Sequence, residues 1–259
     1  MQELFEDERL DQVNDHISLI VKRDGLTFGT DAFLLAAFAG SKRSGKAVEL
    51  GAGTGIVSLL LAGRRRFASI HALEVQKDFA ELALRNVRLN GMEDRVTVHC
   101  ADIRDVRSEH LGGEADVVLA NPPYMRTDSG KRNDSDRKYI ARHEVFGGID
   151  DFCRSASLLL KHGGSFVSVY RPDRLSDLMA AMRANRLEPK RMVFVHADAD
   201  SEPSRVLVSA KKGGAPGLRI LPPLLLHDAP ASGAARELSA RAARIYDTLS
   251  FTEDSNGAY

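Results

Sequence analysis

The chain has 259 residues, with 36 Lys and Arg against 36 Asp and Glu, so its formal net charge at pH 7 is zero and a uniformly basic nucleic-acid binder is excluded. Hydrophobic residues make up 43% and charged residues 28%, which excludes disorder as the main theme and suits one large domain or a domain with an appendage. No window approaches the ~18 apolar residues of a membrane span, and the acidic opening Met1–Leu10 has no apolar core, so the expectation is a soluble, untargeted protein. Cys100 and Cys153 lack metal-ligand spacing, which argues against a disulfide scaffold or a metal site and for a reducing cytoplasm; both are expected in the core as small apolar residues.

Residues 1–45 read as an N-terminal attachment. Ile17–Lys22, the Asp24-Gly25 turn signal and Leu26–Phe28 suggest a hairpin, followed by a helix over Asp31–Ala39 with Thr30 as its N-cap. From about Lys46 to Lys212 short β-rich runs alternate with helical segments, which predicts a doubly wound, mostly parallel α/β sheet with helices on both faces. Strands over Ala47–Leu50, Ser69–Val75 and Arg95–His99 enclose helices over Ile56–Ala62 and Asp78–Asn90, with Asp78 placed to cap the second helix and Gly91 to end it.

Asp116–Ala120 is an apolar strand that must stop at Asn121-Pro122-Pro123-Tyr124, because proline cannot donate to a central ladder. Met125–Arg142, polar and rich in both charges, reads as a long functional or mobile loop. Beyond it come a helix over Ile149–Leu160, a strand over Gly164–Tyr170 and a helix over Asp173–Asn185. Met192–His196 and Arg205–Ala210 then form an antiparallel hairpin across the turn-rich Asp198–Ser204. The resulting division is residues 1–45 as an attachment, 46–228 as the main domain and 229–259 as a tail frayed at Ser255–Tyr259.

Chemistry-bearing residues gather at the carboxyl ends of successive strands, where open α/β sheets bind ligands. Gly51, Gly53 and Gly55 alternate where a strand meets a helix, a turn that either lets a ligand approach the backbone or is simply tight. A dinucleotide fingerprint needs G-x-G-x-x-G, and Ile56 stands where the third glycine is required. Glu49 stands two residues before Gly51. Glu74 ends the next strand, where an acid can accept both hydrogens of a ribose diol. Asp102, followed by Ile103, comes just after the third strand. Each acid alone also reads as an ordinary turn residue, Asp102 satisfying its own backbone, but three in this order make a constellation.

In Asn121-Pro122-Pro123-Tyr124 the prolines lock the backbone and hold Asn121 extended, so that its side chain and the Pro122 carbonyl can converge as two acceptors. An NH2 group carries two hydrogens for two acceptors. Accepting both returns density to a nitrogen whose lone pair is delocalised, and Tyr124 offers a face for a planar substrate. Read plainly, the same residues are a Pro-Pro turn with a core tyrosine.

The alternating glycine turn with its upstream acid resembles the cofactor loop of class I S-adenosylmethionine methyltransferases. The NPPY segment resembles enzymes that methylate amino groups of adenine, guanine or glutamine. Together with Asp24–Ala36, Ala141-Arg142-His143-Glu144, Arg186–Arg191 and Leu221-Pro222-Pro223-Leu224, the chain from 9 to 228 is similar to the bacterial valine-tRNA adenine-N6 methyltransferase family.

That resemblance implies a cytoplasmic enzyme methylating N6 of the adenine 3′ of the anticodon, with S-adenosyl-L-methionine as cofactor. The implied sheet has seven strands, its last hairpin making one antiparallel. Glu49, Gly51, Gly53, Gly55, Glu74, Asp102, Ile103 and Asn121 would bind the cofactor, with Asp102 near the adenine amino group and Phe28 and Thr30 over the cofactor. Asn121, Pro122 and Tyr124 would be catalytic. The tail after Asp228 departs from the family pattern.

The tRNA would be met through the basic residues of loop 125–142 (Arg126, Lys131, Arg132, Arg137, Lys138, Arg142), with no metal and no membrane involved. Arg64-Arg65-Arg66, Lys190-Arg191 and Lys211-Lys212 are either further phosphate contacts or solvated surface. His143-Glu144 reads as structural, ordering the end of the loop. Competing readings are glutamine-N5 methylation of a release factor, methylation of DNA adenine or rRNA guanine-N2, and a binding module without activity.

Overall fold

The computed structural model describes residues 4–23, 29–122, 147–228 and 237–251. Nine longer strands and two short ones accompany six α-helices among these residues. In chain order they are β1 (Glu8–Asn14), β2 (Ile17–Lys22), α1 (Thr30–Phe38), β3 (Lys42–Leu50), α2 (Ile56–Gly63), β4 (Phe67–Glu74), α3 (Lys77–Leu89), β5 (Val96–Cys100) and β6 (Ala115–Ala120). There follow α4 (Ile149–Leu159), β7 (Leu160–Tyr170), α5 (Leu175–Ala184), β8 (Leu187–His196), β9 (Pro203–Lys212), β10 (Arg219–Ile220), β11 (Leu224–Leu225) and α6 (Ala240–Thr248).

The main sheet runs β10-β8-β9-β7-β6-β3-β4-β5, with β11 also on β8. β9 is antiparallel to both neighbours, Phe166 facing Ala210 and Met192 facing Val208, while the remaining pairings are parallel. The seven strands expected, one of them antiparallel, are all present, and the Leu218–Leu225 region adds β10 and β11 at the edge. From β3 the chain winds outward through β4 and β5, then crosses back to β6 on the other side of β3, so the strand order reverses there.

Both faces are covered, as an apolar parallel sheet requires. Val117, Leu119, Val167 and Val193 pack under α1 and α2; Val48, Val118, Phe166 and Val208 pack under α4 and α5. In α1 and α2 nearly every side chain is buried, since each helix is covered on its outer side too: α2 by α1 and β2, α1 by α6. A fully buried leucine such as Leu59 or Leu60 contributes about 1.5–3 kcal/mol in this setting.

The N-terminal hairpin differs from expectation. Ile17–Lys22 pairs backwards with Glu8–Asn14, Leu10 facing Ile20, across a turn in which the Asn14 side chain accepts the His16 amide. Asp24–Phe28 lies outside the described residues. A polar edge strand such as ERLDQVN lacks the β-branched alternation that marks a strand by pattern, whereas Asp24-Gly25 carries a strong turn signature.

Glu8 turns inward, 2% exposed, and meets Arg85 of α3 through both oxygens at 2.7 and 2.9 Å, Lys22 at 3.2 Å and the Phe5 amide at 3.0 Å. Burial works against its charge, but the Arg85, Phe5 and Lys22 hydrogen bonds prevail and hold its carboxyl down at about 2. The ion pair therefore stabilises the fold above the ordinary glutamate range and fades as pH falls from about 4.5 towards about 2. Glu8→Gln should lower unfolding free energy by roughly 2–3 kcal/mol at pH 7. The deficit should shrink in acid, as read from urea midpoints across that range.

Cap positions shift slightly. Gly29 occupies the N-cap of α1, so Thr30 is its first residue rather than its cap, and Gln76, not Asp78, precedes α3. Gly91 does close α3, at φ 60° with its amide on the Arg88 carbonyl. Cys153 is buried, but Cys100 is exposed because it ends the edge strand β5.

The tail's role, unreadable from sequence, is packing. Ser239 caps α6 by accepting the Ala242 amide, and Tyr246 stacks on Phe33 at 4.9 Å. Arg64 and Arg66 donate to the Asp247, Thr248 and Leu249 carbonyls at the helix end. Those arginines are thus helix-end partners. Lys190, Arg191, Lys211 and Lys212 likewise donate to the carbonyls of Ala215, Phe38, Gly163 and Leu160. The α2–β4 turn and the end of β9 lie at the amino edge of the parallel strands, so these basic clusters do not flank the residues described next. Among the described residues no helix is long and apolar enough to cross a membrane.

Candidate active site

β3, β4, β5 and β6 are neighbours, and their register brings their carboxyl ends into one row. Leu50 pairs with both Leu73 and Ala120, and Glu74 pairs with Cys100. Gly51, Glu74, Asp102 and Asn121 therefore come at or just beyond the ends of neighbouring strands, Gly51 and Asn121 each following a residue of the Leu50–Ala120 pair.

The chain turns from β3 into α2 through left-handed backbone at Gly51 (φ 70°), Gly53 (φ 54°) and Gly55 (φ 83°), which is why glycine stands at each. The Gly51 and Ala52 amides both reach the Leu73 carbonyl at 2.9 Å, and Gly55 packs so closely on α3 that a Cβ there would come within 3.3 Å of Ala83. A Cβ on Gly53 would meet nothing within 4 Å. The crest of the turn is open, with room for another molecule against the backbone.

Two buried acids flank it. Glu74, 5% exposed, accepts the Gly53 amide at 2.8 Å through one oxygen and the Gln76 amide at 2.9 Å through the other. Glu49, 4% exposed, turns its Oε2 to the Ser58 amide at 3.0 Å and hydroxyl at 2.5 Å, while its Oε1 has no partner among the described residues. Burial pushes the Glu49 carboxyl up to about 8 and nearby Glu74 adds to it, against the lowering hydrogen bonds from Ser58. A buried carboxylate lacking a cation is strained towards its neutral form, and a cation placed beside it would restore its charge.

Asp102 stands two residues beyond β5 with its carboxylate on Arg104, through the amide at 2.9 Å and the guanidinium at 2.5–3.0 Å. The Arg104 hydrogen bonds hold it below the usual aspartate range. Ile103 is buried, its carbonyl accepting from the Ser155 hydroxyl of α4. Asn121 is exposed at the end of β6 and Pro122 behind it is buried. Thr30, at the start of α1, contacts Tyr246. Tyr124, Phe28, loop 125–142, His143 and Glu144 lie outside the described residues. Sequence reasoning missed Ser58, which satisfies Glu49, and Asn86 of α3, whose amide donates to the Thr54 carbonyl of the glycine turn. A buried asparagine on the apolar side of α3 was the available signal.

A doubly wound sheet with one antiparallel strand, and an open glycine turn between buried acids at the point of reversal, is the architecture of a class I methyltransferase. The family model for the methyltransferase small domain matches residues 21–182. A tRNA1(Val) (adenine(37)-N6)-methyltransferase of Phocaeicola vulgatus is 38% identical over 190 residues, covering 73% of this chain and 78% of its own. One from Bacteroides fragilis is 33% identical over 70% of this chain and 75% of its own. In fold, a crystal structure described as a predicted O-methyltransferase from Agrobacterium tumefaciens aligns with TM-score 0.67 and 23% identity, over 85% of this chain and 97% of that one. The chain belongs to the methyltransferase small domain family and, within it, to the bacterial valine-tRNA adenine-N6 methyltransferases.

Proposed function

We propose that this methyltransferase transfers the methyl group of S-adenosylmethionine to N6 of the adenine beside the anticodon in a valine tRNA, in the cytoplasm. The observation that carries this reading is the adjacency, within a chain of this family, of the open glycine turn and the Asn121-Pro122 step at the ends of paired strands. The residues present fit the cofactor: an open crest at Gly53 takes its backbone-proximal part, the unpartnered Glu49 oxygen suits its ammonium group, and the Glu74 carboxylate retains acceptor capacity for a ribose diol. Asp102 and Ile103 would meet its adenine, Asp102 exchanging its Arg104 contact for the amino group.

S-adenosylmethionine supplies an electrophilic methyl group on a sulfonium. The rest belongs to the chain. Asn121 Oδ1 and the Pro122 carbonyl accept the two hydrogens of the target amino group, which aligns the nitrogen lone pair with the methyl carbon and counters its delocalisation into the base. When bound, the cofactor would give its methyl group to that nitrogen and leave as a neutral thioether, and the proton the nitrogen sheds would pass to solvent. Tyr124 stacks the base, and loop 125–142 brings the basic charge that attracts the RNA backbone. An unpaired loop base needs little energy to reach this position.

The test is transfer of labelled methyl from S-adenosylmethionine to unmodified tRNA, rRNA fragments, duplex DNA and a release factor, followed by nucleoside analysis. N6-methyladenosine in tRNA alone is the expected result. Label on the release factor or on rRNA guanine would replace the substrate assignment while leaving the methyltransferase.

A further inference from the structure

The glycine turn is held from two sides. β4 supports it through Glu74 and the Leu73 carbonyl, as above. On the other side stands α3, which presents Ala83 to Gly55 and, one turn later, Asn86 to Thr54. Asn86 is fully buried and uses every polar atom of its amide: Oδ1 accepts the Ile20 amide at 2.7 Å, and Nδ2 donates to the Ile20 carbonyl at 3.1 Å and to the Thr54 carbonyl at 3.0 Å. Asn90, four residues on, treats Ser18 in the same way at 3.0 and 2.8 Å, but its second hydrogen goes back to the Asn86 carbonyl at 2.7 Å. Both asparagines dock β2, and of the two only Asn86 also reaches the turn.

The geometry points to Asn86 as a positioning residue that couples the N-terminal hairpin to the cofactor turn. It fixes the Thr54 peptide between two left-handed glycines, where the backbone has little steric preference of its own. A turn free to sample other peptide orientations would present its open crest to the cofactor only part of the time, and apparent affinity falls by that fraction. Substitutions in the hairpin far from the sheet edge would reach the cofactor by this route.

This inference rests on the cofactor assignment above, and the experiment separates the two. S-adenosylmethionine dissociation constants and melting temperatures are measured for the wild type, Asn86→Ala, Asn86→Asp and Asn90→Ala. Wild-type binding tests the assignment itself, and its absence would overturn both. With wild-type binding established, Asn86→Ala should weaken the cofactor about tenfold or more. Asn90→Ala, which loses the same kind of hairpin contact, should lower the melting temperature with affinity changed less than about twofold. Asn86→Asp places a carboxylate against two carbonyls at neutral pH. Relative to wild type it should bind more tightly at pH 5.5 than at pH 8, as protonation restores a donor. Equal losses in Asn86→Ala and Asn90→Ala, or unchanged affinity in Asn86→Ala, would assign Asn86 to stability alone.

Discussion

Asn121→Ala is expected to reduce methyl transfer by on the order of 10²–10³-fold at saturating substrates, the usual worth of a preorganised polar group that acts chiefly in the transition state. The alanine side chain would remove one of the two proposed acceptors for the target amino group and leave the Pro122 carbonyl in place. The Gly51, Ala52 and Gly53 amides of the turn are held by Leu73 and Glu74. The S-adenosylmethionine dissociation constant should therefore stay within about threefold of wild type. Single-turnover transfer and equilibrium binding on the same preparations separate the two quantities. A parallel loss of both would place Asn121 in the cofactor site and leave the amino-group assignment without support.

Glu74→Ala should do the reverse. Two half-buried amides, of Gly53 and Gln76, lose their acceptor, at up to about 1–3 kcal/mol each for a stranded donor, and the acceptor proposed for the ribose diol goes with it. Cofactor affinity is expected to fall by about 10²-fold, since two charge-assisted hydrogen bonds of 1.5–3 kcal/mol each are removed and water recovers part of them. Catalysis at saturating cofactor should survive far better than affinity. Calorimetric binding and initial rates over a cofactor titration give the comparison, and a variant that binds normally but turns over slowly would contradict this role.

What could be read from sequence was what local chemistry dictates. Gly51, Gly53 and Gly55 had to adopt positive φ where an apolar run became a helix, and Pro122-Pro123 had to end β6. Glu49, Glu74 and Asp102 stood out as acids at strand ends, a position that reports on function whatever the exact side-chain partner. Partners themselves were not legible. Asn86 meets Ile20 across 66 residues and Arg66 meets Leu249 across 183, and no local pattern specifies either meeting. The hairpin was assigned to the wrong flank of Ile17–Lys22 for a related reason: β1 is a strand because β2 and Arg85 make it one, through pairing and the buried Glu8, not because its residues favour extended backbone. Basic clusters were ambiguous because a guanidinium that closes a helix end and one that awaits phosphate look identical in a sequence.

The asparagine pairing on β2 has a bearing on self-association. A two-stranded ribbon at the periphery of a domain exposes two ladders, each a template on which a second chain could extend the sheet. Here the ladder facing α3 is closed by amide side chains that imitate a neighbouring strand at Ser18 and Ile20, while the opposite strand displays Arg9 and Asp11, already engaged with each other. Among the described residues neither side offers a foreign strand an apolar run of unsatisfied backbone. The described part of this ribbon is thus a poor template for strand addition, and the helix that shields it is the one whose Asn86 donates to the glycine turn.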